Sequence, residues 1–272
     1  MNVLDDWVHT RRDRLTWLDA DRYVWSVFAG APEHWHDDPG TMVGAIAQAQ
    51  QLLQSDVLGI DLMGPFSRRL VLGSGVAMVT AVLESDEPRR DLIATVDAML
   101  HRFADSVDVV LECPSPRRLL GDEDPVGFDV LDDVATALLA VIRTVADRPL
   151  HGLQITCDTA GGPDEDEVDS WSSLLAAAGH YRWITAIRLN GVTSPDQLDP
   201  TLPGNLLLLP HLEAEMLPDD RRHAGGLPSY AWTEAGEPAA IAAAKRQFRF
   251  GEISPDAAPE TVLARITTLQ WP

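Results

Sequence analysis

Val109-Val110-Leu111-Glu112-Cys113-Pro114 is the stretch whose reading decides the fold. Apart from Glu112 the run is apolar, it is too short for a helix, and proline stops it. A continuous apolar run of this length suits a strand buried on both faces, as in a parallel sheet. Similar runs recur along the chain. Val57–Met63 (VLGIDLM) is stopped by Gly64-Pro65, and Leu153–Cys157 (LQITC), Ile184–Leu189 (ITAIRL) and Leu206–Leu209 follow. Tyr23–Ala29 (YVWSVFA) reads as an early strand and Tyr230–Thr233 as a weak late one.

Amphipathic segments separate these runs. Arg89–Phe103 puts Leu92, Val96, Leu100 and Phe103 at helical spacing behind an Asp86-Glu87-Pro88 start signal. Asp129–Val145 carries a stripe from Val130 to Val145, and Val168–Ala178, Glu237–Phe248 and Pro259–Leu269 complete the set. Met1–Asp21, with Trp7, Leu15, Trp17 and Leu18, is expected to form an N-terminal helix outside the sheet. Alternation of strand and helix predicts a parallel α/β sheet in one domain over 1–272, closed as a barrel or open and doubly wound. No Gly-x-Gly-x-x-Gly or Walker-type loop follows the first strand, which lowers the nucleotide readings.

Composition bounds the partners. The 42 acidic residues against 21 basic ones give a formal net charge of −21. That excess argues against nucleic acid and against anionic membrane surfaces, both of which call for basic patches. Cys113 and Cys157 are the only cysteines and stand in apolar runs, so a disulfide framework is not expected. The first residues lack a basic-then-apolar signal pattern, no run of 18 apolar residues occurs, and a cytoplasmic location is the expectation.

In a parallel barrel, chemistry gathers where strands end and β-to-α loops begin. The strand ends here offer Gly64 and Ser67, Glu112 and Cys113, Cys157 and Asp158, Asn190, and His211. Glu112 is the candidate acid, base or amine-binding carboxylate, since a buried carboxylate needs a partner or a raised pKa. His211 is the candidate proton shuttle. His34-x-His36-Asp37-Asp38 is the densest set of potential metal ligands, but sequence places no third ligand and a solvated loop accounts for it. Asp164–Glu167 reads as the acidic start of a helix.

Several of these motifs, in order, resemble the catalytic barrel of cobalamin-independent methionine synthase, a superfamily related to uroporphyrinogen decarboxylase. Ile60–Ser67 (IDLMGPFS) is similar to that family's Gly-Pro-x-Thr turn. Val110–Ser115 (VLECPS) is similar to its Asp-Glu-Pro strand end, and LQITC falls where the family has a His-x-Cys zinc strand. Ser254-Pro255-Asp256-Ala257-Ala258 is similar to its Asn-Pro-Asp-Cys-Gly turn. The resemblance implies a (β/α)8-type barrel that begins about two strand–helix units late and is therefore expected to be incomplete, with Tyr23–Ala29 standing in for one unit. It also implies Glu112 and His211 as catalytic groups, and Gly64, Ser67, Asp158 and Asn190 as substrate contacts.

The family's zinc is held by two Cys, a His and a Glu, a soft donor set suited to a thiolate substrate. Carried over, those positions fall on Ile155, Cys157, Leu189 and Ala257, so only Cys157 remains a possible metal ligand. The expectation is a divergent methionine synthase-like barrel that binds a small molecule or is catalytically altered. It would have no cofactor, or zinc only if the ligands are rearranged. An active methyltransferase moving a methyl group to a thiol such as homocysteine, and a protein-interaction subunit, are the alternatives.

Overall fold

The computed structural model describes residues 2–32, 35–70, 75–103, 105–121 and 126–269. Eight parallel strands follow in chain order: β1 (Leu15–Asp19), β2 (Val57–Asp61), β3 (Asp108–Pro114), β4 (Gly152–Cys157), β5 (Ile184–Leu189), β6 (Leu206–Glu213), β7 (His223–Leu227) and β8 (Phe248–Glu252). Each pairs with its sequence neighbour from β2 to β8, and β1 pairs with β8. The seam between β1 and β2 brings the sheet nearly into a closed barrel. There Asp56 N–H donates to Thr16 C=O at 2.8 Å. Side chains stand in for the rest of the ladder: Thr16 N–H donates to Asp56 Oδ2 at 2.8 Å and Leu18 N–H to Ser55 Oγ at 3.0 Å.

The helices are α1 (Val3–Val8), α2 (Asp21–Val27), α3 (Pro39–Leu53), α4 (Val76–Leu83), α5 (Asp86–Phe103), α6 (Pro116–Leu120), α7 (Phe128–Arg143), α8 (Glu165–Ser170), α9 (Ser172–His180), α10 (Glu237–Ala244) and α11 (Pro259–Leu269). Asp164 caps α8 by accepting from Glu167 N–H at 2.9 Å, which accounts for the acidic run there.

Strand periodicity splits the core in two. One parity of each strand packs against the helices, as do Leu111, Ile155, Ile187 and Leu209. The other parity fills the barrel with Trp17, Val110, Ala186, Leu208 and Phe250. Helix α1 plugs the N-terminal end. Its Val3, Leu4 and Trp7 join the interior cluster, Trp7 lies 5.4 Å from Phe248, and Leu4 N–H donates to the buried Asp108 Oδ2 at 2.6 Å.

Five sequence expectations are corrected. Met1–Asp21 is not one helix: α1 ends at Val8, and Leu15, Trp17 and Asp19 alternate along β1. Tyr23–Ala29 is not a strand but lies largely in α2, with Tyr23, Val24 and Phe28 at helical spacing on the core side. With β1 in place the barrel has its full eight strands and is not shortened. At the far end, Tyr230–Thr233 is a 3-10 turn, and β7 is the glycine-bearing HAGGL before it. Gly225 is required there, since a Cβ would sit 2.5 Å from Leu209 C=O. The Glu237–Phe248 helix ends at Ala244, and Phe248 opens β8.

Candidate functional site

The interior parity is apolar at the plugged end apart from Asp108, and charged at the other. At the carboxyl ends of the strands it presents Asp19, Asp61, Glu112, Thr156, Arg188 and Glu252, which together line an open cavity of about 470 Å³. This is where β-to-α loops converge in parallel barrels. Register sets the neighbours: Asp19 lies beside Glu252, Asp61 beside Glu112, Glu112 beside Gln154, and Thr156 beside Arg188.

Arg188 organises one side. It is 6% exposed, and its guanidinium donates to Asp19 and Glu252 and, through Nε, to Asn190 Oδ1 at 2.8 Å. Burial pulls its pKa down, but the carboxylates of Asp19, Glu252 and Glu112 outweigh burial and hold the charge firmly. The network extends outward, since Asn190 Nδ2 donates to Asp158 Oδ1 at 2.6 Å and Asp158 Oδ2 pairs with Arg118 Nε at 2.6 Å.

Glu112 occupies the other side with no such partner. Its carboxyl lies in the space left by Gly59 on β2, where a Cβ would approach Oε1 to 1.9 Å. Burial raises its pKa well above the carboxylate range, Asp19 adds to this, Arg188 offsets part, and Asp61 and Asp21 push further up. The group is thus poised as a neutral carboxylic acid, able to donate. Asp61 is raised as well, first by burial. His36 and the Met63 N–H, which donates to Asp61 Oδ1 at 2.8 Å, partly offset this. His36 is lowered by burial against the attraction of Asp61. Asp21, at the start of α2, is pushed up to about 7 by burial and then by Asp19 and Asp61.

The residues expected from sequence divide into groups. Glu112, Ser67 and Asn190 line the mouth. Asp158 reaches it only through Asn190 and Arg118. Gly64 serves as the seat of His36, because a Cβ there would lie 2.4 Å from His36 Nδ1. His211 is exposed on β6 and does not line the mouth. Cys157 points to the helices instead of the barrel axis and is fully buried. Its thiol is pushed up to about 12, by burial and then by Glu167. Ile155 and Leu189 share that outward parity, so the carry-over placed the zinc ligands on the wrong face of both strands. His34 lies outside the described residues.

Sequence reading missed Asp19, Asp21, Asp61, Arg188 and Glu252. Arg188 carried a signal, a lone cation within the apolar run ITAIRL. Asp19 was hidden because its strand reads as part of a helix, and Glu252 because Arg249–Glu252 carries no apolar run that marks a strand.

Zinc of the family type does not fit this mouth. Thiolate and imidazole ligands are needed. Cys113 touches the cavity wall, but its thiol is raised by burial, and His36 is engaged with Asp61. Among the described residues no three His, Cys, Asp or Glu side chains stand where they could hold a metal ion. No helix there is long and apolar enough to cross a membrane.

No protein-family model and no curated protein matches the chain. Solved structures do. A methyltransferase from Methanosarcina mazei superposes with a TM-score of 0.67 over 98% of this chain and 97% of that one, at 12% identity. A GH20 catalytic module of the pneumococcal exo-β-D-N-acetylglucosaminidase StrH superposes with a TM-score of 0.51 over 97% and 83%, at 11% identity. The likeness is one of fold. It extends over nearly the whole chain and carries no residue roles with it.

Proposed function

We propose that the barrel mouth binds a small polar molecule and moves a proton to or from it through Glu112, without a thiolate-held metal. The observation that carries this reading is the pairing of environments on one rim. Asp19 and Glu252 are tied to Arg188, while Glu112, in the same cavity, has burial and like charges against its ionisation. A carboxyl group whose ionisation is opposed, set in a cavity beside an ion-paired cluster, is an arrangement suited to acid–base work. Asn190 and Ser67 supply polar contacts on the rim, and Gly59 fixes the position of the acid.

Infrared difference spectroscopy tests the acid directly. A protonated carboxyl band is expected at neutral pH in the wild type and absent in Glu112→Gln. Ligand-observed NMR against a library of small polar fragments should find binders whose signals change in the same variant. An unaltered carboxyl band would sink the acid role. One tightly bound zinc per purified chain would sink the metal-free reading.

The fold similarity favours one second reading, transfer of a methyl group to a thiol. It rests on architecture alone, and the mouth offers no activated sulfur ligand to hold such a thiol through zinc. Methylation of homocysteine that persists in Glu112→Gln would favour it over the first.

A further inference from the structure

Asp21 is the wall shared by three spaces. It borders the mouth, a narrow cleft at the β1–β2 seam, and a second chamber of about 300 Å³ lined by Trp25, Trp35, His36 and Ser67. Ser67 and Arg22 also border both larger spaces, so the chamber adjoins the mouth. Trp25 is fixed by its indole N–H, which donates to Pro32 C=O at 3.0 Å. Trp35 is 5% exposed, and its indole is turned toward Asp21, where it favours the ionised carboxylate against burial.

Charge is unbalanced across this junction. Arg188 is committed to Asp19 and Glu252, and Arg118 to Asp158. Asp21, Asp61 and Glu112 face the open space: Arg22 attracts Asp21, His36 and Arg118 attract Asp61, and Arg188 attracts Glu112, yet all three carboxyl groups keep raised pKa values. Three carboxyl groups crowded together in low dielectric gain most from a positive charge placed among them. Indole rings beside carboxylates add a face that attracts the same charge and an apolar surface for the body that carries it.

We propose that the ligand is an organic cation with an apolar or aromatic body, its charged centre held at Asp21 and Asp61 where the two chambers meet and its body against Trp25 and Trp35. The proposal rests on the mouth being the ligand site, and it names the class of molecule that site takes. The titration of Asp21 supplies a signature. With its pKa near 7, and with Asp19, Asp61, Glu112, Arg22 and His36 around it, it is largely neutral at pH 6 and ionised at pH 8. Affinity for a cation should then rise about tenfold over that interval, and cation binding should release a proton.

Isothermal titration with benzylamine, benzyl alcohol and benzoate, which share one body and differ in charge, tests the assignment. Benzylamine is expected to bind at least tenfold more tightly than the alcohol, benzoate more weakly than either, and Asp21→Asn to remove most of the amine's advantage. Equal binding of amine and alcohol by the wild type overturns the proposal, as does an amine preference untouched by Asp21→Asn. If benzoate alone binds and Glu112→Gln alters it, the class is wrong while the mouth remains the site. If the amine binds but the infrared band survives Glu112→Gln, the acid role falls and the cation assignment stands.

Discussion

Two carboxyl groups on β3 face the barrel axis from opposite ends. Asp108, at the plugged end, accepts the Leu4 N–H at 2.6 Å and has the His151 imidazole 3.6 Å away. Glu112, four residues further along the same face, has Gly59 below it, Asp61 beside it and an open cavity above. Both have pKa values raised chiefly by burial, yet one burial is built into the packing of α1 and the other is left exposed to whatever enters the mouth. A buried polar group with a backbone partner serves the fold. One without a partner is tolerated where it serves a ligand.

The largest effect expected from breaking this contrast lies at Arg188. Arg188→Met leaves Asp19 and Glu252 without their shared cation, and losing one partner of a buried ion pair costs about 3–5 kcal/mol. Urea unfolding at neutral pH should show that loss. The gap to wild type should narrow as pH falls and the stranded carboxylates take up protons. A variant as stable as wild type at pH 7 would mean that solvent already reaches the pair.

Next in size is Asp108→Ala. It strands the Leu4 N–H and removes the anchor of α1, a cost of about 1–3 kcal/mol for an unpaired buried donor. Hydrogen exchange should rise first in Leu4–Trp7. Trp7 is also held by its indole N–H on Arg221 C=O at 2.8 Å and by the Arg221 guanidinium 3.7 Å over its ring. Part of the plug should therefore stay in place, and Asp108→Asn, which keeps an acceptor, should cost less.

The pH dependence of the two ends follows one sign. Carboxyl groups with folded pKa values above their unfolded ones hold protons more tightly in the native state. Their contribution to stability is full below the unfolded value, near 4, and is lost as pH rises toward the folded one. Glu112→Gln removes a group of this kind without stranding a partner. It is expected to change stability by less than about 1 kcal/mol at pH 7, in the stabilising direction, while abolishing proton transfer. Its stability should also fall less with pH above 4 than that of wild type, as urea midpoints across pH would show. A destabilised Glu112→Gln would place Glu112 with Asp108 as a structural carboxyl and end the contrast.

The same comparison explains what the sequence could and could not reveal. The middle of the barrel was legible because β2 through β6 are short, largely apolar runs, and Pro259–Leu269 because proline and periodicity mark a helix plainly. Burial on both faces obscures parity, since no solvent-facing side marks which residues point to the axis. The zinc carry-over therefore landed on Ile155, Cys157 and Leu189, one residue away from the interior set of Gln154, Thr156 and Arg188. The ends of the barrel were misread for a different reason. Leu15, Trp17 and Leu18 fit a helical stripe as well as a strand. In β8, Phe248 reads as the end of the preceding helix, and Arg249, buried on the helix side and donating to the Leu269, Ala244 and Arg246 carbonyls, interrupts the apolar run that would mark a strand. Two of the mouth's charged residues, Asp19 and Glu252, sit in those two segments.

The smallest stability effect is expected at Gly59, and it isolates the position of the acid from its presence. A Cβ there would meet the Glu112 carboxyl at 1.9 Å, but that carboxyl is the mobile end of a side chain and can swing toward the mouth. Replacing glycine by alanine in extended backbone also restricts the unfolded chain, a gain of roughly 0.4–1 kcal/mol that offsets the crowding. Gly59→Ala should thus unfold at nearly the wild-type urea concentration. The displaced carboxyl, however, gains water and moves away from Asp61, so its pKa should fall and the infrared band of the protonated acid should weaken at neutral pH. A Gly59→Ala protein that keeps the band at full strength would show that Glu112 owes its protonation to the charges around it and not to the niche that β2 leaves open.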